Sequence, residues 1–189
     1  IKNRKDLEKY VKEKYGVEYL VKAFKIVSDE LGSKNRKIDV ELHIYGEGEQ
    51  KEYLSELAKE LGVINKTIFY GYIENRLVPS ILNKIDIFCL PSVEESFGVA
   101  AVEAMACELP VVASDADGFT EVVLNEITGY IVPKKDEKLL AEKILELICN
   151  EDKRKEFGKK GRERVLELYD WNENVENMID IYKKIIGEI

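Results

Sequence analysis

Short runs of β-branched and aliphatic residues alternate along the chain with longer stretches whose apolar residues recur every three or four positions. Val40–Tyr45, Thr67–Tyr70, Asp86–Leu90, Pro110–Ala113 and Gly129–Val132 read as strands. Between them, Gly16–Leu31, Glu49–Leu61, Val78–Lys84, Gly98–Cys107 and Phe119–Leu124 read as helices. A parallel strand is reached only by a connection that travels back over a face of the sheet, so strand and helix in alternation predict a parallel sheet with crossover helices. Beyond Asp136 the strand signal stops, and Asp136–Cys149, Asp152–Tyr169 and Glu173–Ile186 are helical stretches.

The expected fold class is α/β, a Rossmann-like parallel sheet of five to six strands with helices on both faces and a helical C-terminal extension. A chain of 189 residues with 45% hydrophobic residues forms one substantial core, and no Gly/Ser/Pro-rich linker or internal repeat divides it, so residues 1–189 read as a single domain. The stretch Ile1–Tyr15 is charged and helix-like where an alternating domain ordinarily opens with a strand, which places the expected first strand upstream of this sequence. Trp171, Val175, Met178, Ile179, Tyr182 and Ile186 form a helical apolar stripe of the kind that usually belongs to a core. The charged run Asp152–Glu167 reads as the wet face of a helix.

A net charge of −8 argues against broad attraction to nucleic acid or to an anionic membrane, and an anionic ligand would need a local pocket of donors. Cys89, Cys107 and Cys149 are odd in number, far apart and set among apolar residues, as suits buried reduced thiols and a cytoplasmic location. No apolar run approaches the ~20 residues that span a bilayer, which leaves open peripheral contact at the cytosolic membrane face.

The candidate chemistry concentrates in Pro91–Ala106, where a strand end and the glycine turn Ser96-Phe97-Gly98 run into a helix N-terminus. Glu95 stands before the turn and Glu103 about five residues into the helix, roughly 7 Å along the axis at ~1.5 Å per residue, so one ligand could touch both. The amides of Phe97, Gly98 and Val99, with the positive end of the helix dipole, favour a phosphate. Carboxylates beside it accept hydrogen bonds from sugar hydroxyls, and the combination points to a nucleotide-sugar site. The alternative reading makes both acids solvated residues of a helix first turn. His43 lies inside a strand run and reads as packed or exposed rather than as a general base. Asp115-Ala116-Asp117 imitates a metal-chelating Asp-x-Asp, although aspartates after a strand are common turn formers. As a dinucleotide fingerprint, Gly46-Glu47-Gly48 fails, because Lys51 stands at the third glycine position, which disfavours a nicotinamide-dependent oxidoreductase.

These motifs resemble the C-terminal half of a family 4 retaining glycosyltransferase of the two-domain GT-B fold. The resemblance runs from Gly16-Val17-Glu18-Tyr19-Leu20 to Trp171 and Tyr182. It is most specific in the Glu-x7-Glu of Glu95 and Glu103, followed by Leu109–Ser114, Gly118, Glu121, Thr128-Gly129 and Val132. It implies that the domain binds a nucleoside diphosphate sugar, with Glu95 on the transferred sugar, Glu103 on the ribose and the amides of Ser96, Phe97, Gly98 and Val99 facing the diphosphate. Gly46 is similar to the family glycine that lets the chain pass close to the nucleotide, and Tyr72-Ile73 to the position whose backbone meets the base. Lys14 and Arg4 are the candidates for the family's diphosphate-neutralising lysine and arginine. The resemblance further implies that no metal or other cofactor is required, that an N-terminal acceptor domain lies outside this chain, that the acceptor can be a membrane component, and that the isolated domain is weakly active or inactive. The terminal helix would cross toward the other domain, exposing part of its stripe here. Glu108 stands where the family carries glycine, so a looser turn or a different dihedral is expected, and Asp117 replaces the first of two glycines. A non-catalytic nucleotide-binding or assembly module of the same fold is the second reading.

Overall fold

The structure, a computed structural model, describes residues 14–33 and 38–187. In chain order its elements are α1 (Val17–Ser33), β1 (Leu42–Tyr45), α2 (Lys51–Glu60), β2 (Thr67–Gly71), α3 (Val78–Leu82), β3 (Phe88–Leu90), α4 (Val99–Ala106), β4 (Val111–Ser114), α5 (Asp117–Val122), β5 (Gly129–Val132), α6 (Glu137–Cys149), α7 (Glu151–Leu168) and α8 (Trp171–Ile186). Every expected strand and helix is present, mostly trimmed at its ends. The sheet differs from the expectation in one respect. All strands are parallel, but they form two ladders, β1–β2 and β3–β4–β5, and among the described residues no ladder joins β1 to β3.

β4 is buried along its whole length and supplies both faces of the larger ladder. Because strand side chains alternate, Val112 points with Tyr130 and Val132 into a cluster with Leu20, Ala23 and Val27 of α1 and Leu140, Ala141 and Ile144 of α6. Val111 and Ala113 point the other way, onto Ala101, Ala104 and Met105 of α4 and Phe119 and Val122 of α5. Burying each Val, Leu, Ile, Phe or Met side chain among them stabilises by about 1.5–3 kcal/mol relative to leaving it in water. Helices thus cover both faces, as the alternation predicts. α1 serves both ladders, since its Val21 and Phe24 join Leu54 and Ala58 of α2 with Ile44 and Phe69 in a third cluster.

The C-terminal helices are capped by side chains: Asp136 accepts from the Lys138 and Leu139 amides, Asn150 from Lys153, and Asp170 from Asn172 and Glu173. α7 exposes much of its charged run as expected while burying Phe157, Gly158 and Gly161, but Lys153 turns inward and Arg154, Arg162 and Arg164 donate to the main-chain carbonyls of Leu147, Ala106 and Val122. α8 departs from the core reading of its stripe and goes further than the partial exposure the resemblance implies: none of its residues is buried, and Trp171 is 78% exposed. The cysteine reading is corrected for Cys149, which is exposed at the end of α6; Cys107, just past α4, is half-buried against the core. Only Cys89 keeps its thiol buried, and burial pushes it up to about 12. Among the described residues no helix is long and apolar enough to cross a membrane.

Glu108 corrects the expectation of an altered turn. It adopts φ 60°, the dihedral of the glycine it replaces, while its amide donates to the Met105 carbonyl at 3.0 Å and the Leu109 amide to that of Ala104 at 3.1 Å. Those bonds close α4 in the usual left-handed way, at a cost of about 1–2 kcal/mol for a residue with a Cβ.

A polar knot joins β5, α6 and α7. The Tyr130 hydroxyl donates to Glu146 Oε1 at 2.5 Å, Lys153 Nζ donates to the same oxygen at 2.5 Å, and Lys153 also reaches the Tyr130 hydroxyl at 2.8 Å. The Lys153 and Tyr130 hydrogen bonds hold the Glu146 carboxyl down at about 2. A depressed folded-state value contributes stability that is complete above the unfolded value near 4.5 and is lost as pH falls toward 2. Glu146→Gln is therefore expected to lower unfolding free energy by about 1 kcal/mol at pH 7, the partly exposed site screening the charge, and to flatten the acid limb of the stability profile, as read by urea melts from pH 7 to pH 2.

Candidate functional site

The carboxyl end of β3 leads into the loop Pro91–Gly98, and contacts from four directions fix its course. The Ser114 hydroxyl, at the end of β4, donates to the Ser92 carbonyl. Lys14 O accepts from the Val93 amide at 2.7 Å, and Gly16 lies so close to Pro91 that a Cβ there would stand 2.1 Å from its carbonyl oxygen. From α5, the Gly118 amide donates to the Glu95 carbonyl at 3.1 Å. A Cβ on Gly118 would sit 2.5 Å from the Phe97 nitrogen, so two main chains meet where no side chain fits. Phe97 is 44% exposed and packs edge-on against Tyr169 at 5.8 Å.

Gly98 turns this loop into α4. Its φ of 90° is left-handed, and its Cα faces the Phe119 ring, 2.9 Å from where a Cβ would be. The turn brings the amides of Ser96, Phe97 and Gly98 to one point, occupied by Glu95 Oε1 at 3.0, 3.4 and 3.3 Å. The acid therefore sits on the amides expected to face a diphosphate. Val99 and Ala100 follow in the first turn of α4, where amides have no intrahelical acceptor. Glu103 lies one turn beyond Val99 on the same exposed stripe, opposite the buried Ala101, Ala104 and Met105.

A second group forms at the carboxyl ends of β1 and β2. The Gly46 amide donates to the Gly71 carbonyl at 2.8 Å, and both glycines have positive φ, 125° and 85°. Tyr72 follows, 69% exposed, with Ile73 half-buried beside it. Below them the rings of Tyr45 and Tyr70 stack at 4.5 Å, with His43 5.3 Å from Tyr70 and its Nε2 3.0 Å from Glu41. His43 is thus packed, as expected. The start of α1 links the two groups, because Gly16 touches Pro91 while Val17 shares a cluster with Ile44.

Of the expected cations, Lys14 has its main chain on the loop and its Nζ 5.6 Å from the Tyr15 ring centroid; Arg4 lies outside the described residues. In the Asp-x-Asp imitation, the Asp115 carboxylate accepts from the sequence-distant Lys134 amide at 2.9 Å, and the Asp117 main-chain carbonyl accepts from the Thr120 hydroxyl. Among the described residues no three His, Cys, Asp or Glu side chains cluster to hold a metal. The sequence reading missed the anchoring roles of Ser114, Gly16 and Tyr169. The one signal for Ser114 was a hydroxyl ending an otherwise apolar strand.

Residues 9–164 match the family described as glycosyl transferases group 1. The chain belongs to that family. Among its relatives in the family is the phosphatidyl-myo-inositol mannosyltransferase of Mycobacterium leprae, 32% identical over 148 residues, which span 78% of this chain and 38% of that protein. The capsular polysaccharide biosynthesis glycosyltransferase CapM of Staphylococcus aureus is 31% identical over 179 residues, 92% of this chain and 44% of its own length. This chain thus spans about two fifths of the length of those relatives. Among solved structures, the sucrose-phosphate synthase of Thermosynechococcus elongatus superposes with a TM-score of 0.79 at 27% identity, covering 93% of this chain and 43% of that one. A mutant of S. aureus TarM, crystallised with fondaparinux, alpha-GlcNAc-glycerol and UDP, superposes with a TM-score of 0.76 at 26% identity over 88% of this chain and 32% of that chain. The fold is that of the GT-B glycosyltransferases.

If Gly118 sets the loop, Gly118→Ala should push Ser96 and Phe97 outward, cost about 1–3 kcal/mol of stability and shift the amide resonances of residues 96–98. Unmoved resonances in a heteronuclear NMR spectrum of the folded variant would remove Gly118 from that role.

Proposed function

We propose that this chain is the donor-binding domain of a retaining glycosyltransferase of family 4, which transfers a sugar from a nucleoside diphosphate sugar to an acceptor hydroxyl in polysaccharide or glycolipid synthesis. The observation that carries the reading is the placement of Glu95, the Ser96–Gly98 amides and Glu103 along one path from the end of β3 down the exposed stripe of α4. UDP bound to a TarM structure of the same fold supports a nucleotide donor.

In this reading the amides of Ser96, Phe97, Gly98 and Val99 receive the diphosphate, and Glu95 moves off them to hold the transferred sugar. Empty, the amides are satisfied by the carboxylate; loaded, they are satisfied by phosphate oxygens, so neither state leaves the donors bare. Glu103 binds the ribose hydroxyls. Gly46 lets the main chain approach the nucleotide, and the backbone at Tyr72 and Ile73 meets the base. Lys14, with Arg4 where it falls nearby, neutralises the departing diphosphate together with the α4 dipole. The donor's own diphosphate is the leaving group, the acceptor enters from the same face, and no metal or covalent enzyme intermediate is needed. An N-terminal domain of the full protein supplies the acceptor site, at the cytosolic membrane face where the acceptor is a lipid, so this domain alone binds nucleotide weakly and turns over little.

Calorimetric titration with UDP and GDP tests the reading, and absence of saturable heat at millimolar ligand would overturn it. Glu103→Ala should weaken UDP binding by about 1–3 kcal/mol, as expected for losing hydrogen bonds to a charged acceptor. Glu95→Ala should act in opposite directions, tightening UDP by freeing the amides and weakening the UDP-sugar by losing the sugar contact. Parallel loss for both ligands would place Glu95 in a purely structural role.

A further inference from the structure

The charged helix α7 holds the far ends of the two helices that build the site. The last carbonyls of a helix lack intrahelical donors and carry the negative end of its dipole, so a guanidinium suits them. Arg162 donates to the carbonyl of Ala106, the last residue of α4, and its Nε stands 3.7 Å from the Glu108 carboxylate in the turn that follows. Arg164 donates to Val122 O at 2.9 Å and to Glu121 O at 2.8 Å, the last two residues of α5. Arg154 makes the same kind of contact with α6, at 2.6 Å from Leu147 O and 3.0 Å from Ile148 O. Beside Arg162 two main chains meet, since a Cβ on Gly158 would fall on the Glu108 carbonyl.

From there α7 runs antiparallel to α4, back toward the turn after Glu95. Gly158 and Arg162 lie at the carboxyl end of α4, Gly161 packs on its Met105, and Val165 joins the cluster that α4 and α5 share. Tyr169, the residue that closes α7, meets Phe97 of the turn edge-on at 5.8 Å. The rise from Gly158 to Tyr169, about 17 Å at ~1.5 Å per residue, exceeds the roughly 12 Å of α4, so α7 reaches from one end of α4 past the other. α4 begins at the amides of the turn and carries Glu103, and α5 begins at Gly118, whose amide holds the Glu95 carbonyl. One helix thus fixes both site helices at one end and the turn between them at the other.

We propose that α7 is a strut that sets the donor site from outside it, with Arg162, Arg164 and Tyr169 as positioning residues for the Glu95–Gly98 turn. They act through α4, α5 and Phe97 rather than on the ligand. The arginines grip α4 and α5 at the ends remote from the site, so losing either lets a site helix tilt as a body. Tyr169 bears on the turn directly, beside the amides that converge on Glu95. The effect on a diphosphate rests on the donor-binding reading, whereas the strut itself rests on contacts within the chain. Arg154 provides the comparison, because it closes a helix that carries none of the candidate residues.

In the full chain without nucleotide, Tyr169→Ala should speed hydrogen exchange at the Gly98 and Gly118 amides, which bond to Glu95, relative to Val112 of β4. By calorimetry the same variant should weaken UDP binding about two- to tenfold, the size of an edge-on aromatic contact, and Tyr169→Phe, which keeps the ring, should restore both readouts. Arg162→Ala and Arg164→Ala should act in the same direction. Arg154→Ala should lower the melting temperature yet leave the exchange of Gly98 and Gly118 and the UDP affinity at wild-type values. Where an arginine variant does not fold, Tyr169→Ala decides alone, since it removes no donor to a main-chain carbonyl. Unchanged exchange at both glycines in folded Tyr169→Ala overturns the proposal, and so does unchanged UDP affinity where the wild type binds. Equal weakening of UDP by Arg154→Ala and Arg164→Ala also overturns it, marking a general loss of stability. A wild-type chain that gives no saturable heat with UDP defeats the sugar-transfer reading, while the exchange rates, measured without nucleotide, still decide the strut.

Discussion

Two main chains cross between the Ser96–Phe97 loop and Gly118, at a separation that leaves no room for a Cβ. From this contact the rest of the site follows. The Gly118 amide ties down the Glu95 carbonyl, which aims the Glu95 side chain back at its own turn; Gly98 can then take its left-handed angle against Phe119 and start α4 in the direction that puts Glu103 on the outer stripe. Phe119 is wholly buried and anchors α5 in the same cluster as α4, so the geometry of the loop is set by the hydrophobic core rather than by the loop's own residues. Sites built this way hold their shape before a ligand arrives, which lowers the entropy cost of binding.

The electrostatics work at two ranges. Over the whole surface, a net charge of −8 repels an anion. Within the turn, aligned amides and a helix dipole act at hydrogen-bond distance, well inside the screening length of about 8 Å at physiological salt, and they outweigh a field that is largely screened beyond it. Glu95 shows the attraction directly, since an anionic group already rests on three amides in a chain with a large excess of acids.

Fold class was legible because it rests on period: β4 and its neighbours show the apolar runs, and α1 the three-and-four spacing, that a parallel sheet and its covering helix need. The glycine turn after Glu95 and the helix that carries Glu103 were legible because they are local, one turn followed by one helix. What the sequence hid was long-range or conformational. Nothing local says that Ser114 reaches Ser92, that Tyr169 meets Phe97, or that Gly118 touches a loop some twenty residues earlier. Glu108 misled because a residue type was read as a dihedral: the packing of α4 against the core enforces the left-handed angle whichever side chain is present. The stripe of α8 divided the readings, because apolar periodicity identifies a face without identifying what it meets: taken as core it is wrong, and the exposure expected from the family resemblance is what the structure has.

α8 has a thermal consequence of its own. It is held by an Asp170 cap at one end and by Gly187 at φ 75° at the other, while Met178, Ile179, Tyr182 and Ile185 all lie in water. A helix of that length without a packed face sits near the midpoint of its own helix–coil equilibrium, because capping contributes about 1 kcal/mol and nucleation remains unfavourable. In this chain taken alone it is expected to melt gradually and separately from the sandwich of α1–α7 around the strands, so far-ultraviolet ellipticity and core unfolding would follow different curves and a single two-state description would misjudge the cooperativity.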